Sequence, residues 1–283
     1  MNNSKKCIHS FEVQHLCNDF LVFKRSLGFK YVSEEKILRY FTHYCEENHP
    51  NEILPEDIIY DWINNNPNNS LKTRSNHVST ITAWAKYIFS IGYMPLKIPN
   101  IRCTSNTAFI PHIFTSNEMQ RIWDIVDNLP VSKVFPNQHK CLPVLFRLLY
   151  SCGLRITEAL QIKVKDVDIQ SGIITLYHTK YEKERFIPMS NSLTKVMKTY
   201  IDNNSMELRS DSLLFYYRKE HKLTANTIYS RFRKILNASN IPYEGSLKGP
   251  RLHDLRHTFA VTTMNKLADS GKDLYVILPI LSA

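Results

Sequence analysis

LFRLLYSCGLRITEAL, residues Leu145 to Leu160, changes character half-way along, and that change organises the reading of the whole chain. Leu145, Leu148 and Leu149 recur at helical spacing, so the first half is an apolar helix. Cys152 and Gly153 interrupt it, the glycine supplying the positive φ that a helix C-terminus often takes. A second helix is expected to begin near Arg155, with Ile156, Ala159 and Leu160 facing inward. Arg155 and Glu158, three residues apart, then share a different face, where an ion pair or a contact to a phosphate becomes possible. By residue type alone a surface Arg–Glu pair is the ordinary reading.

Two later stretches bear on that choice. RLHDLRHTFA, Arg251 to Ala260, puts His253 and Arg256 one helical turn apart on a helix expected to run from Arg251 to Lys266. Its neighbour His257 is expected to point elsewhere and to be structural. IITLYHTKYEKERFIPM, Ile173 to Met189, has the pattern of a β-hairpin, with β-favouring residues out to Tyr177 and Arg185 to Met189 returning as the partner strand. Lys180 falls at its basic turn, and a solvated charged tip is the ordinary reading of such a segment.

The three blocks GLRITEAL, the hairpin lysine followed by KERFIP, and HDLRHTFA stand in an order and spacing that resemble the tyrosine recombinase (phage integrase) family. The resemblance implies a mainly α chain with a small antiparallel β-sheet. It divides the chain into an N-terminal four-helix core-binding (SAM-like) domain over residues 1–102, a linker over 103–112, and an α+β catalytic domain over 113–283. It also implies site-specific breakage and rejoining of DNA through a 3′-phosphotyrosine, as in integration, excision or transposition of mobile elements. A non-catalytic DNA-binding accessory protein on the same scaffold and a type IB topoisomerase are the competing readings.

Composition agrees with a polyanionic partner. The 283 residues are 43% hydrophobic and carry a net charge of +10, with a pI near 9.2, which points to nucleic acid. Residues 1–102 hold 12 Lys and Arg against 10 Asp and Glu, leaving +2. The remainder holds 24 against 16, leaving +8. Six cysteines are scattered without a C-x-x-C pair, so reduced thiols in a cytoplasmic protein are expected and disulfides are not. Cys7, His9, His15 and Cys17 invite a zinc reading, but their spacing matches no common ligand set, and burial on a helix is the simpler account. MNNSKKCIHS lacks the apolar core of a signal peptide. The longest apolar run, Leu274 to Leu281, is too short to span a bilayer.

In the N-terminal part, Val13, Leu16, Phe20, Phe23 and Leu27 predict one helix face closed by Gly28. Ser33 is expected to cap a second helix, with Glu34 and Glu35 in its first turn and Ile37, Phe41 and Tyr44 along one face up to Pro50. Pro55 opens a short third helix through Ile58, Ile59, Trp62 and Ile63, stopped by the Asn-rich run 64–69. The fourth is expected from Leu71 to Ile91 with Val78, Ile81, Ala85 and Ile88 inward. Its first turns carry Lys72, Thr73, Arg74, Asn76 and His77, groups that suit phosphates and base edges or simply a solvated face. By resemblance this face touches DNA.

PLKIPNIRCTSNTAFIP, Pro95 to Pro111, reads as the linker. A capping box of Thr115 and Glu118 then announces a new core with Met119, Ile122, Trp123 and Val126. Further helices are expected over Thr194 to Asn203 and Thr224 to Asn237, the latter offering Arg231, Arg233 and Lys234 as contacts that position a DNA backbone.

The resemblance assigns the chemistry. Displacement at a phosphodiester places extra negative charge on the nonbridging oxygens, to which planar guanidiniums donate bidentately, and Arg155 and Arg256 are the implied clamp. His253 is a hydrogen-bond donor or proton carrier. Lys180 is the general acid for the departing 5′-oxygen, with Lys183 its competitor. Glu158 is expected to support the active site by pairing with a basic side chain. No metal or other cofactor is implied, and the implied partners are double-stranded DNA and further copies of the chain in a synaptic tetramer. The family's tyrosine nucleophile lies beyond an L-G-H-like segment that this sequence does not contain. Tyr275, in DLYVILPILS, matches the helix before that segment and is expected to be core. The nucleophile is therefore expected to be absent from the chain, through truncation of the catalytic domain.

Overall fold

The computed structural model describes residues 5–65, 68–101, 110–177, 184–205, 208–218, 221–242, 245 and 249–271. The chain divides into two compact units, Met1–Ala108 and Phe109–Ala283.

In the first unit, α1 (Val13–Ser26), α2 (Val32–Asn48), α3 (Ile58–Asn64) and α4 (Leu71–Ser90) pack around one core. Phe20, Phe41, Ile58, Ile81, Trp84 and Ile88 are sealed from solvent, each such side chain contributing about 1.5–3 kcal/mol of transfer free energy. Trp84 lies at the centre and packs edge-on to Phe41, although the sequence pattern had not singled it out. The face predicted for α1 drifts. Val13, Leu16 and Phe20 are buried together with Cys17 and Leu21, whereas Phe23 and Leu27 are 42% and 55% exposed. A straight helix keeps i, i+3, i+4, i+7 and i+8 on one side; Phe23 falls at the margin of that stripe and stacks on Tyr87, while Leu27 lies beyond the last helical residue, Ser26. The C-cap is Leu27, with Gly28 beyond it at φ 86°. α2 starts one residue before Ser33, and its N-cap position is held by Tyr31 in a left-handed conformation with no side-chain cap. Glu34 and Glu35 do occupy the first turn. Cys17 sits in this core beside the Thr42 hydroxyl, and burial pushes its thiol up to about 12.

The second unit is built on α5 (Ser116–Asp127) and the buried α6 (Gln138–Cys152). The Thr115–Glu118 capping box forms as the sequence predicts. After α6 come the single turn α7 (Ile156–Ala159) and a three-stranded antiparallel sheet of β1 (Val167–Asp168), β2 (Ile173–Leu176) and β3 (Arg185–Pro188), in that order. β2 and β3 form the expected hairpin, Ile173 opposite Pro188 and Leu176 opposite Arg185. β1 was not foreseen, two residues being too few to show an alternation. α8 (Asn191–Asn203) begins earlier than expected because Ser190 caps it, accepting the Leu193 N–H. β4 (Tyr216–Arg218) and β5 (His221–Lys222), also unforeseen, precede α9 (Ala225–Ala238). α10 spans Asp254–Asp269.

Among the described residues no helix is long and apolar enough to cross a membrane.

Candidate active site

Gly153 is where the site begins. It ends α6 at φ 61°, and the ring of Phe259 on α10 lies so close that a Cβ there would sit 2.3 Å from Phe259 Cδ1. Only a residue without a side chain lets α6 and α10 meet this way. The same contact brings Arg256 inward, and its Nη1 donates to the Gly153 carbonyl oxygen.

Two residues further on, Arg155 is the N-cap of α7. Its backbone N–H donates to Glu158 Oε2 at 2.9 Å and its Nη1 to Oε1 at 2.8 Å. Leu160, expected inside, is only partly buried, because α7 stops after one turn. From β3, Arg185 Nη2 reaches the same carboxylate, 3.3 Å from Oε2. The Glu158 side chain is 14% exposed and that of Arg155 48%, so the carboxylate lies beneath a guanidinium that remains open to solvent. Burial alone would raise the Glu158 pKa. Hydrogen bonds from the Arg155 N–H and guanidinium, with the charges of Arg185 and Arg155, outweigh burial and hold it below the ordinary carboxylate value.

His253 is the N-cap of α10, not a residue within it. The predicted start at Arg251 fails because Asp254, fully buried, turns its Oδ2 back to accept the Arg251 N–H at 2.8 Å, closing a turn ahead of the helix. Desolvation lowers the His253 pKa, and His257, Arg256 and Arg155 lower it further. His257 does not point away. It stands edge-on to His253 at 4.9 Å, as an i, i+4 spacing dictates. Arg256 is depressed too, by burial and then by the Arg155 charge, with Arg185 adding to it and Glu158 opposing. Arg155, Arg256 and His253 are thus electrostatic neighbours, with Arg185 acting on Arg256.

The structure thus brings together Arg155, Glu158, His253 and Arg256. Lys180 and Lys183 lie outside the described residues, as does Tyr275. Arg185 was missed as an individual site residue: nothing in KERFIP ranks it above its neighbours, and only the β2–β3 register aims it at Glu158. Among the described residues no group of three His, Cys, Asp or Glu side chains is arranged to hold a metal ion. Beside Glu158, a cleft of about 330 Å³ runs past Lys163 and Lys165 to Tyr177 at the end of β2.

The residues expected to touch DNA fare unevenly. Lys72 and Asn76 are exposed on α4. Thr73 is engaged by Ser70, which caps the helix by accepting the Thr73 N–H. Arg74 donates to Asn64 Oδ1 at 3.0 Å. His77 stacks on Trp62 with ring centroids 5.0 Å apart, and burial lowers its pKa. On α9, the Arg231 guanidinium lies 5.9 Å from the Phe135 ring centroid, and Arg233 lines an apolar cleft with Leu236, Ile241 and Pro250.

Two guanidiniums seated on one carboxylate, with Arg256 and a histidine at a helix N-terminus as charged neighbours, make a cationic cluster of the kind that suits an oxyanion. Comparison with known proteins agrees: residues 112–278 match the phage integrase family, and the chain belongs to that family. Over 278 residues it is 24% identical to the tyrosine recombinase XerD of Listeria monocytogenes, covering 93% of this chain and 86% of that protein. Over 163 residues it is 31% identical to the tyrosine recombinase XerC of Staphylococcus saprophyticus, covering 57% of this chain and about half, 51%, of that one. The fold is shared with the XerH site-specific recombinase in its crystal structure with palindromic difH substrate, with a TM-score of 0.63 at 18% identity over 91% of this chain and 74% of that one.

Proposed function

We infer that the chain acts as a site-specific DNA recombinase of the tyrosine class, with Arg155 and Arg256 clamping the nonbridging oxygens of one backbone phosphate. The observation that carries this reading is the pairing of an exposed Arg155 with an Arg256 anchored on the Gly153 carbonyl, both within electrostatic reach of His253. Two forked donors around one anion stabilise the charge that builds in the displacement. His253, kept neutral by its depressed pKa, donates a hydrogen bond to the phosphate or carries a proton. Lys180 protonates the 5′-oxygen, and Glu158 holds Arg155 in place. Double-stranded DNA is the substrate and further copies of the chain are its partners in synapsis. The first unit is the core-binding domain, with Lys72 and Asn76 its best-placed contacts on α4; Arg231 and Arg233 steady the backbone from α9.

The test is selection of binding sites from a random duplex pool, followed by incubation with a nicked suicide duplex bearing the selected site. The expected result is salt-sensitive duplex binding, weakened by Arg155→Gln and Arg256→Gln. A chain without duplex affinity overturns the reading. Any covalent adduct is traced to its tyrosine by substitution, beginning with Tyr275.

A further inference from the structure

Glu158 is shared. One carboxylate oxygen meets Arg155 Nη1 at 2.8 Å, and the other lies 3.3 Å from Arg185 Nη2 while accepting the Arg155 N–H. Arg185 comes from a different element, opposite Leu176 in the β2–β3 ladder, and its side chain is 20% exposed, less than half the exposure of Arg155. It meets the carboxylate oxygen that also accepts the Arg155 N–H, while the Arg155 guanidinium takes the other. A four-residue helix cannot by itself hold a long glutamate side chain in one rotamer, and a second cation on a paired strand does so at little entropic cost.

We propose that Arg185 is a positioning residue for the phosphate site, fixing Glu158 from the sheet side so that Glu158 in turn fixes the Arg155 guanidinium. This rests on the reading of Arg155 and Arg256 as an anion clamp. Its consequence is a relay from β3 through α7, in which the sheet sets the direction of an arginine it does not carry. The Arg185 charge also adds to the Arg155 hydrogen bonds that hold the Glu158 pKa below the ordinary carboxylate value. Without it, among the described residues, the carboxylate keeps the Arg155 hydrogen bonds and the charge of Arg256, with Lys163, Lys165 and Asp166 along the neighbouring cleft. The Glu158 pKa then rises, and protonation releases Arg155 at a higher pH than in the parent chain.

The experiment measures sulfate binding calorimetrically between pH 4 and 8, on the whole chain, with His253→Gln and His257→Gln in every background so that neither imidazole of the facing pair titrates. For Arg185→Gln we expect affinity about tenfold weaker, the loss of one charge-assisted hydrogen bond, and an acid limb displaced to higher pH. Arg185→Lys should restore most of both. In a Glu158→Gln background the further change Arg185→Gln should have no effect, because the relay is already cut. An Arg185→Gln effect that persists in the Glu158→Gln background overturns the proposal, since Arg185 would then touch the anion itself. An Arg185→Gln chain that binds with the parent affinity and pH profile overturns it as well. If Arg185→Gln does not fold, Arg185→Met and Arg185→Lys carry the same cycle. Absence of sulfate binding by the starting chain would fell the clamp reading itself, a result distinct from the other two.

Discussion

His253 shows how a single residue carries a pH signature. Its folded pKa lies below the ordinary histidine value of 6.5, so the unfolded chain takes up its proton first as the pH falls. The stability linked to it is complete above pH 6.5 and is lost as the pH drops through the lowered folded value. Urea unfolding as a function of pH should therefore show a steeper acid loss in the parent than in His253→Gln, with the curves converging above neutrality. Gly153 has a steric signature. Gly153→Ala combines the left-handed penalty of about 1 kcal/mol with an overpacking cost of about 1–3 kcal/mol against Phe259. Shortening Phe259 to Leu should recover part of the second term but none of the first, as read by the Tm of the single and double variants.

Among the elements, α10 is the most constrained. The Thr258 hydroxyl donates to the Asp254 carbonyl at 2.7 Å and accepts the Phe114 N–H at 3.0 Å, tying the segment ahead of α5 to the helix that presents His253 and Arg256. Thr258→Val keeps the volume but strands a buried N–H, at a cost of about 1–3 kcal/mol, and chemical denaturation should register it. Elements whose logic is local were legible in the sequence: the Thr115–Glu118 cap, the α6 stripe ending in Gly153, and the β2–β3 alternation. What escaped depends on distant partners or on spacing misapplied. Arg185 acquires its meaning from a carboxylate 27 residues away, the start of α10 from the back-folded Asp254, and Arg74 is engaged by Asn64 across a helix junction. His257 was legible and misread, since residues four apart on a helix share a face.

For the molecule as a whole, the relevant quantity is the balance of charge, +10 in total, most of it in the second part of the chain. Nucleic-acid affinity then falls steeply with salt, and each phosphate contact removed lowers the slope of log affinity against log salt by about one. Lys72→Ala should show that decrement in a filter-binding titration. Arg74→Ala should show the same decrement only if Arg74 exchanges Asn64 for a phosphate; an unchanged slope with a lowered Tm would make it a helix-junction residue.

The bond from Arg256 to the Gly153 carbonyl has a further consequence. A guanidinium is flat and carries five N–H groups, so committing one edge to the main chain fixes the plane of the remainder while the chain folds. The orientational cost of meeting an anion is then met before any substrate arrives, which is the condition for preorganised catalysis. An ammonium cannot inherit that arrangement, having neither a plane nor a second edge to offer. Arg256→Lys should therefore preserve the charge and most of the stability while forfeiting selectivity for a tetrahedral oxyanion over chloride.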